Sequence, residues 1–125
     1  MNTETGGEVR MPIGAKYVLM VSMDVAPEKE DLFNEVYDKE HIPNLLAVPG
    51  VLSVTRVKSE PFSMTIGGER KGMPVASPRY TAIYELESPE VLVSDAWGRA
   101  VEAGRWPGEV RPFTTNRRHI LSKVI

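Results

Sequence analysis

A phenol, a carboxylate and an imidazole crowd together at Tyr37, Asp38 and His41, within the run Val36-Tyr37-Asp38-Lys39-Glu40-His41-Ile42-Pro43. The run reads as the end of an amphipathic helix. Proline disfavours the helical conformation in the residue before it, so Pro43 is expected to push Ile42 out of the helix and stop it there. Tyr37 lies four residues before His41 and Asp38 three, which puts both beside the imidazole on one helical surface. The chemistry open to such a group is proton transfer, because imidazole alone titrates near neutrality, at about 6.5. His41 is the candidate acid or base. The helix C-terminus would favour its protonated form, and Asp38 would do the same while fixing its orientation. Each residue also has a plainer role. His41 could cap the helix by bonding its last carbonyls. Asp38 could be a solvated helix residue, with Glu40 facing solvent beside it. Tyr37 belongs to the apolar stripe, and its hydroxyl, if buried, would need a partner such as His41 or a ligand.

Other side chains are candidates for the walls of a pocket. Met23, Tyr84 and Trp97 could line an apolar hollow or be plain core. Arg56 could pair with a carboxylate or enolate ligand, or form a surface salt bridge. Asp24 ends an otherwise apolar strand, at a pocket mouth or at the strand's exit to solvent. His119 follows Arg117-Arg118 on the last strand, and these read as edge or interface residues. Two distant histidines and no cysteine give no convincing metal site. Gly67-Gly68 lacks the Lys-Ser/Thr and helix of a phosphate-binding loop, and no serine sits in a nucleophile elbow.

The elements that must position these residues follow from periodicity. Residues 16–25 (KYVLMVSMDV) form a strand. A helix opens near Pro27, with Glu28, Glu30 and Asp31 in its first turn and Leu32, Phe33, Val36 and Tyr37 as its buried stripe. Pro49-Gly50 is a turn, and 51–57 is a second strand nearer an edge. Residues 61–77 are an inserted loop or hairpin arm with Gly67-Gly68 at its tip, suited to a lid or a dimer-clasping arm. Residues 79–86 (RYTAIYEL) are the third strand. Ser88-Pro89-Glu90 starts a second helix running to about Ala103, with Gly104 as terminator. A loop carrying Trp106 leads to the last strand, 114–125. The order β-α-β-β-α-β is that of an α+β, ferredoxin-like sandwich: a four-stranded antiparallel sheet with two helices on one face. Residues 1–12 read as a flexible tail and 13–125 as a single domain.

The bulk numbers agree with one domain. The chain has 125 residues, is 42% hydrophobic and 26% charged, and carries a net charge of −2. It has no basic field for nucleic acid, no apolar run of the ~20 residues that span a bilayer, and no signal-peptide layout, so the cytoplasm is expected. The first strand is apolar on much of both faces, yet two helices cover only one face of a sheet. A homodimer through the bare sheet face is therefore expected, since apolar burial contributes about 25 cal/mol per Å².

The run YDKEHIPNLLAVPGVLSVTRV, then RYTAIYEL and a second helix, resembles the EthD-like branch of the dimeric α+β barrel superfamily. The likeness covers about residues 16–101, and its most specific part is Tyr37, Glu40-His41 and Pro43 followed by Pro49-Gly50. It implies the ferredoxin-like fold, a dimer and a pocket between sheet and helices. It implies no single reaction, because relatives differ in chemistry. The 61–77 insert departs from the shortest members. Single-histidine haem ligation occurs elsewhere in the superfamily, which leaves His41 or His119 as an axial-ligand option. The expectation is a small enzyme without cofactor or metal, acting on a compact apolar or aromatic molecule. His41 would move a proton in an isomerisation, cyclisation, dehydration or oxygenation, supported by Tyr37 and Asp38. The alternative is a non-catalytic dimeric module for small-molecule binding or assembly.

Overall fold

The computed structural model describes residues 13–125; the expected tail, residues 1–12, lies outside the described residues. Four strands form one antiparallel sheet in the order β2-β5-β1-β6. They are β1 (Tyr17–Val25), β2 (Val51–Lys58), β5 (Tyr80–Leu86) and β6 (Thr114–Lys123). The two strands richest in apolar residues, β1 and β5, take the centre, and the more polar β2 and β6 take the edges. A sheet built this way, with its helical segments on one side, is the ferredoxin-like α+β sandwich.

The inserted arm is a hairpin. Strands β3 (Phe62–Ile66) and β4 (Glu69–Met73) pair only with each other. Gly67 and Gly68 sit at φ +61° and +81°, the two consecutive positive values that a tight type I′ turn requires and that glycine adopts without steric cost.

Alternation along the strands sorts the two faces. Leu19, Val21 and Met23 of β1, with Tyr80, Ala82, Tyr84 and Leu86 of β5, are buried under the helices, together with Phe33, Val36, Tyr37 and Leu45. The opposite face is more mixed than the sequence suggests. Met20, Ile83 and Ile120 are cross-strand neighbours there, but Ser22, Thr81 and Arg118 share that side.

Two helical expectations need correction. The first helix does not end before Pro43. Helix α1 (Glu30–Val36) passes through a widened turn, Tyr37–His41, into α2 (Ile42–Leu46), and Ile42 keeps helical angles (φ −60°, ψ −50°). The widened turn closes i→i+5, with the Ile42 N–H donating to the Tyr37 carbonyl. It thereby gives the pyrrolidine ring the room that an ordinary turn denies. The second helix is not continuous to Ala103. A 3₁₀ segment, Pro89–Val93, is followed by Ser94 in an extended conformation (ψ 154°), and only then by α3 (Asp95–Ala100). Ser94 Oγ accepts from the Trp97 N–H, so this serine, not Ser88, caps the helix by its side chain.

Gly104 terminates this region at φ +68°, as its type suggests. A Cβ there would lie 2.5 Å from Glu40 Oε1. Gly104→Ala is therefore expected to combine left-handed strain of about 1–2 kcal/mol with displacement of the Glu40 carboxylate. Chemical denaturation should show the loss; an unchanged midpoint would contradict it.

Candidate functional site

Between the helical layer and the β1–β6 side of the sheet lies a hollow of about 270 Å³. Met23 and Tyr84 form its sheet wall, Tyr37 and His41 project from the widened turn, and Trp97 closes it from α3. Trp106, from a second widened helical turn at Trp106–Val110, completes the aromatic lining. At the rim stand Arg111 and, from β6, Arg117 and His119.

The imidazole of His41 is packed on two sides. It stacks on the Trp106 indole, with centroids 4.2 Å apart and planes at 17°, and meets the Tyr37 ring edge-on at 5.0 Å. Only 5% of the residue is exposed, and its Nδ1 has no hydrogen-bond partner. Burial first, and the Arg111 guanidinium second, push its pKa down from 6.5 to about 4. The expectation of a protonated histidine at a helix C-terminus is thus reversed: the helix runs on into α2, so no terminal carbonyls face the ring, and the interior favours neutral imidazole.

Tyr37 and Tyr84 share a buried hydrogen bond, 2.8 Å between hydroxyl oxygens. Burial raises both phenols, Tyr37 to about 12 and Tyr84 further, so both keep their protons. One proton makes the shared bond. The other is available to a third oxygen.

Asp38 does not orient His41. In an i→i+5 turn the residue three positions back swings off the shared face, and Asp38 instead accepts from Arg56 Nη1 at 2.8 Å. Arg56 does not line the hollow either. Its Nη2 donates to Asn34 Oδ1 at 2.8 Å, and its guanidinium lies 4.6 Å from the Tyr37 ring centroid, on the side away from the hollow. It clamps α1 to β2 and supports Tyr37 from behind.

Glu40, expected in solvent, is a second clamp. It accepts from the Arg105 backbone N–H at 3.0 Å and from Arg105 Nε at 2.6 Å, and these bonds hold its carboxyl below the usual range. Arg105 Nη2 also reaches Glu35. Tying Arg105 down fixes its neighbour Trp106 over the imidazole. Trp106 and Arg111 escaped as site residues because the long connection from Gly104 to the last strand carries no periodicity. The one available signal was a tryptophan in a loop, a large apolar ring that gains by leaving water. The hairpin arm contributes nothing to this hollow. Among the described residues, no group of three His, Asp or Glu side chains could hold a metal ion, and no helix is long and apolar enough to cross a membrane.

No protein-family model matches the sequence, and no curated protein matches it. Solved structures do match. An ethyl tert-butyl ether D (EthD) family protein from Bacillus halodurans is 14% identical, with TM-score 0.54, over 87% of this chain and 99% of that one. MhuD, a haem degrader from Mycobacterium tuberculosis with two haems in its active site, is 17% identical, with TM-score 0.55, over 87% and 95%. A MhuD variant with two manganese protoporphyrin IX molecules per active site is 16% identical, with TM-score 0.57, over 87% and 94%. At these identities the likeness shows the fold alone, the ferredoxin-like α+β fold that the sequence resemblance implies.

Neutral His41 links stability to pH. Its folded pKa of about 4 lies below the ordinary 6.5, so between these values the unfolded chain holds the extra proton and acid favours unfolding. From about pH 7.5 to about pH 4.5, wild type should lose about 2.5 kcal/mol more than His41→Phe, which keeps the stack on Trp106 but cannot titrate. Denaturant unfolding at the two pH values measures the difference; parallel losses would show that the imidazole is not buried neutral.

Proposed function

We propose that the protein is a small acid/base enzyme that takes a compact, largely apolar or aromatic organic molecule into the hollow, with His41 as the general base. The observation that carries this reading is a nearly buried, neutral imidazole on the wall of a cavity lined mostly by aromatic and aliphatic side chains. A neutral imidazole can accept a proton from a carbon acid or hydroxyl of the bound molecule. The negative charge that develops on the substrate's oxygen would be met by the spare hydroxyl proton of the Tyr37–Tyr84 pair. The imidazolium so formed stands beside the anion it has created, and hands the proton back at a different atom. That sequence serves isomerisation, cyclisation or dehydration. Tyr37 supports His41 by edge contact and by this hydrogen bond, Met23, Tyr84 and Trp97 shape the hollow, and Asp38 and Arg56 act only from behind Tyr37.

A haem does not fit. At about 270 Å³ the hollow falls below the ~300–1,000 Å³ of pockets for drug-sized ligands, and a porphyrin is larger still. No step of this chemistry passes through such a group. The packing of His41 between Trp106 and Tyr37 favours the second reading, a module that binds the small molecule without reaction.

The α-proton exchange of 1-indanone in D₂O, followed by NMR, separates the two. This probe is a compact aromatic ketone whose reaction is one proton transfer. Wild type should catalyse the exchange, and His41→Gln should lose about 10²-fold or more of the rate while staying folded. The rate in wild type should fall on the acid side only through about pH 4 and stay level through neutrality. Equal rates for wild type and His41→Gln would exclude His41 as the base.

The bare face of the sheet supports a homodimer. Met20 and Ile120 stand 39% and 45% exposed beside Ile83 on the central and edge strands, an apolar strip that a two-fold copy would cover. Met20→Lys together with Ile120→Lys should convert a dimer into a folded monomer by light scattering. A monomeric wild type would refute the assembly.

A further inference from the structure

The hollow is electrically two-ended. Its floor is neutral: His41 is held uncharged, and both tyrosines keep their protons. Its rim carries Arg111, Arg117 and His119, and none of the residues that line it is a carboxylate. This concentration of basic groups sits on a chain whose net charge is −2. Arg111 is already committed, through bonds of 3.0 and 2.7 Å to the Glu102 carboxylate and 2.7 Å to the Val101 carbonyl. Arg117 is not committed in this way: among the described residues, no carboxylate forms an ion pair with it.

The placement of Arg117 is built into the backbone. The β1–β6 register shifts between Ser22 and Asp24, and Asn116, opposite that shift, takes a left-handed φ of +53°. Such a bulge re-aims the residues that follow it. Its geometry is pinned by Asp24, which accepts from Asn116 Nδ2 at 2.8 Å, from Ser77 Oγ at 2.5 Å and from the Arg79 N–H at 2.7 Å. These bonds keep the Asp24 carboxyl below its ordinary pKa, so the pin persists into mild acid. Beyond the bulge, Arg117 and His119 alternate onto the helix side of the sheet, where His119 pairs across from Val21, while Arg118 takes the bare side opposite Ser22.

We propose that the substrate or ligand is a ring-bearing carboxylate: the ring lies among Trp97, Trp106 and His41, and the carboxylate is held at the rim by Arg117. This rests on the reading of the hollow as a small-molecule site and adds the charge of what enters it. A planar guanidinium matches a carboxylate with two parallel N–H bonds, which a neutral group cannot reproduce. It also fixes which end of the molecule enters first, so that the ring carbons and not the anion reach His41.

Benzoate and benzamide, nearly identical in shape and different in charge, test this by titration against the two tryptophan indole N–H signals in NMR spectra. Benzoate should bind wild type about tenfold more tightly than benzamide, and added salt should weaken benzoate alone. Arg117→Gln should remove about tenfold of the benzoate affinity and leave benzamide unchanged, while Arg118→Gln, on the bare face, should change neither. Equal affinities in wild type, or a benzoate preference that survives Arg117→Gln, would overturn the carboxylate assignment and leave the hollow as a site for neutral rings. If neither probe moves either indole signal, both the assignment and the site fall.

Discussion

Pro43 has no N–H to give and no tolerance for a carbonyl pressed against its ring. A helix that must pass through it has to break, kink or widen, and this one widens. Everything at the site depends on that choice. The extra residue in the turn drops His41 onto Trp106, swings Asp38 away toward Arg56, and leaves Tyr37 facing Tyr84 of the sheet. An ordinary helix of the same sequence would expose a different set of side chains to the hollow. Widened turns of this kind are frequent at functional sites because they change the direction of a helical face without ending the helix.

Around that turn the charges are arranged to stay outside. Arg56 with Asp38 and Asn34, and Arg105 with Glu40 and Glu35, flank the helical segment on two sides. None of these six residues lines the hollow. Each pair is partly exposed and contributes modestly to stability. Their effect is geometric: they hold Tyr37 and Trp106, the two rings that sandwich the imidazole between edge and face. The interior is left free to depress the imidazole pKa by burial, since no counter-charge reaches it.

The fold was legible because it is written in alternation. The period-two patterns of 16–25 and 79–86, and the branched residues of 51–57, place the central strands and one edge. Gly67-Gly68 announces the hairpin, and Gly104 the end of a helical region, through backbone angles that other residues avoid. The site was legible in part. Tyr37, His41, Met23, Tyr84 and Trp97 meet at one hollow, and helical spacing plus strand parity are enough to suggest as much. Asp38 was misplaced because its direction depends on residues per turn, and 3.6 does not apply between Tyr37 and His41. Arg56, on β2, takes the salt bridge that was its plainer role. Arg117 was read only as an edge or interface residue of the last strand, because its face is decided by a bulge at Asn116 that no hydrophobic pattern records.

The broken second helix has a consequence for how a molecule reaches the hollow. The wall that carries Trp97 is a 3₁₀ turn, one extended serine and six residues of helix, with Gly98 in the middle. Pieces this short do not sustain themselves cooperatively and hold their shape only by leaning on the sheet. The opposing wall is a central strand bonded on both sides. The cavity thus resembles a vice with one fixed jaw and one sprung jaw. Traffic in and out would be set by how often the sprung side gives way, a cost independent of the proton chemistry waiting at the other.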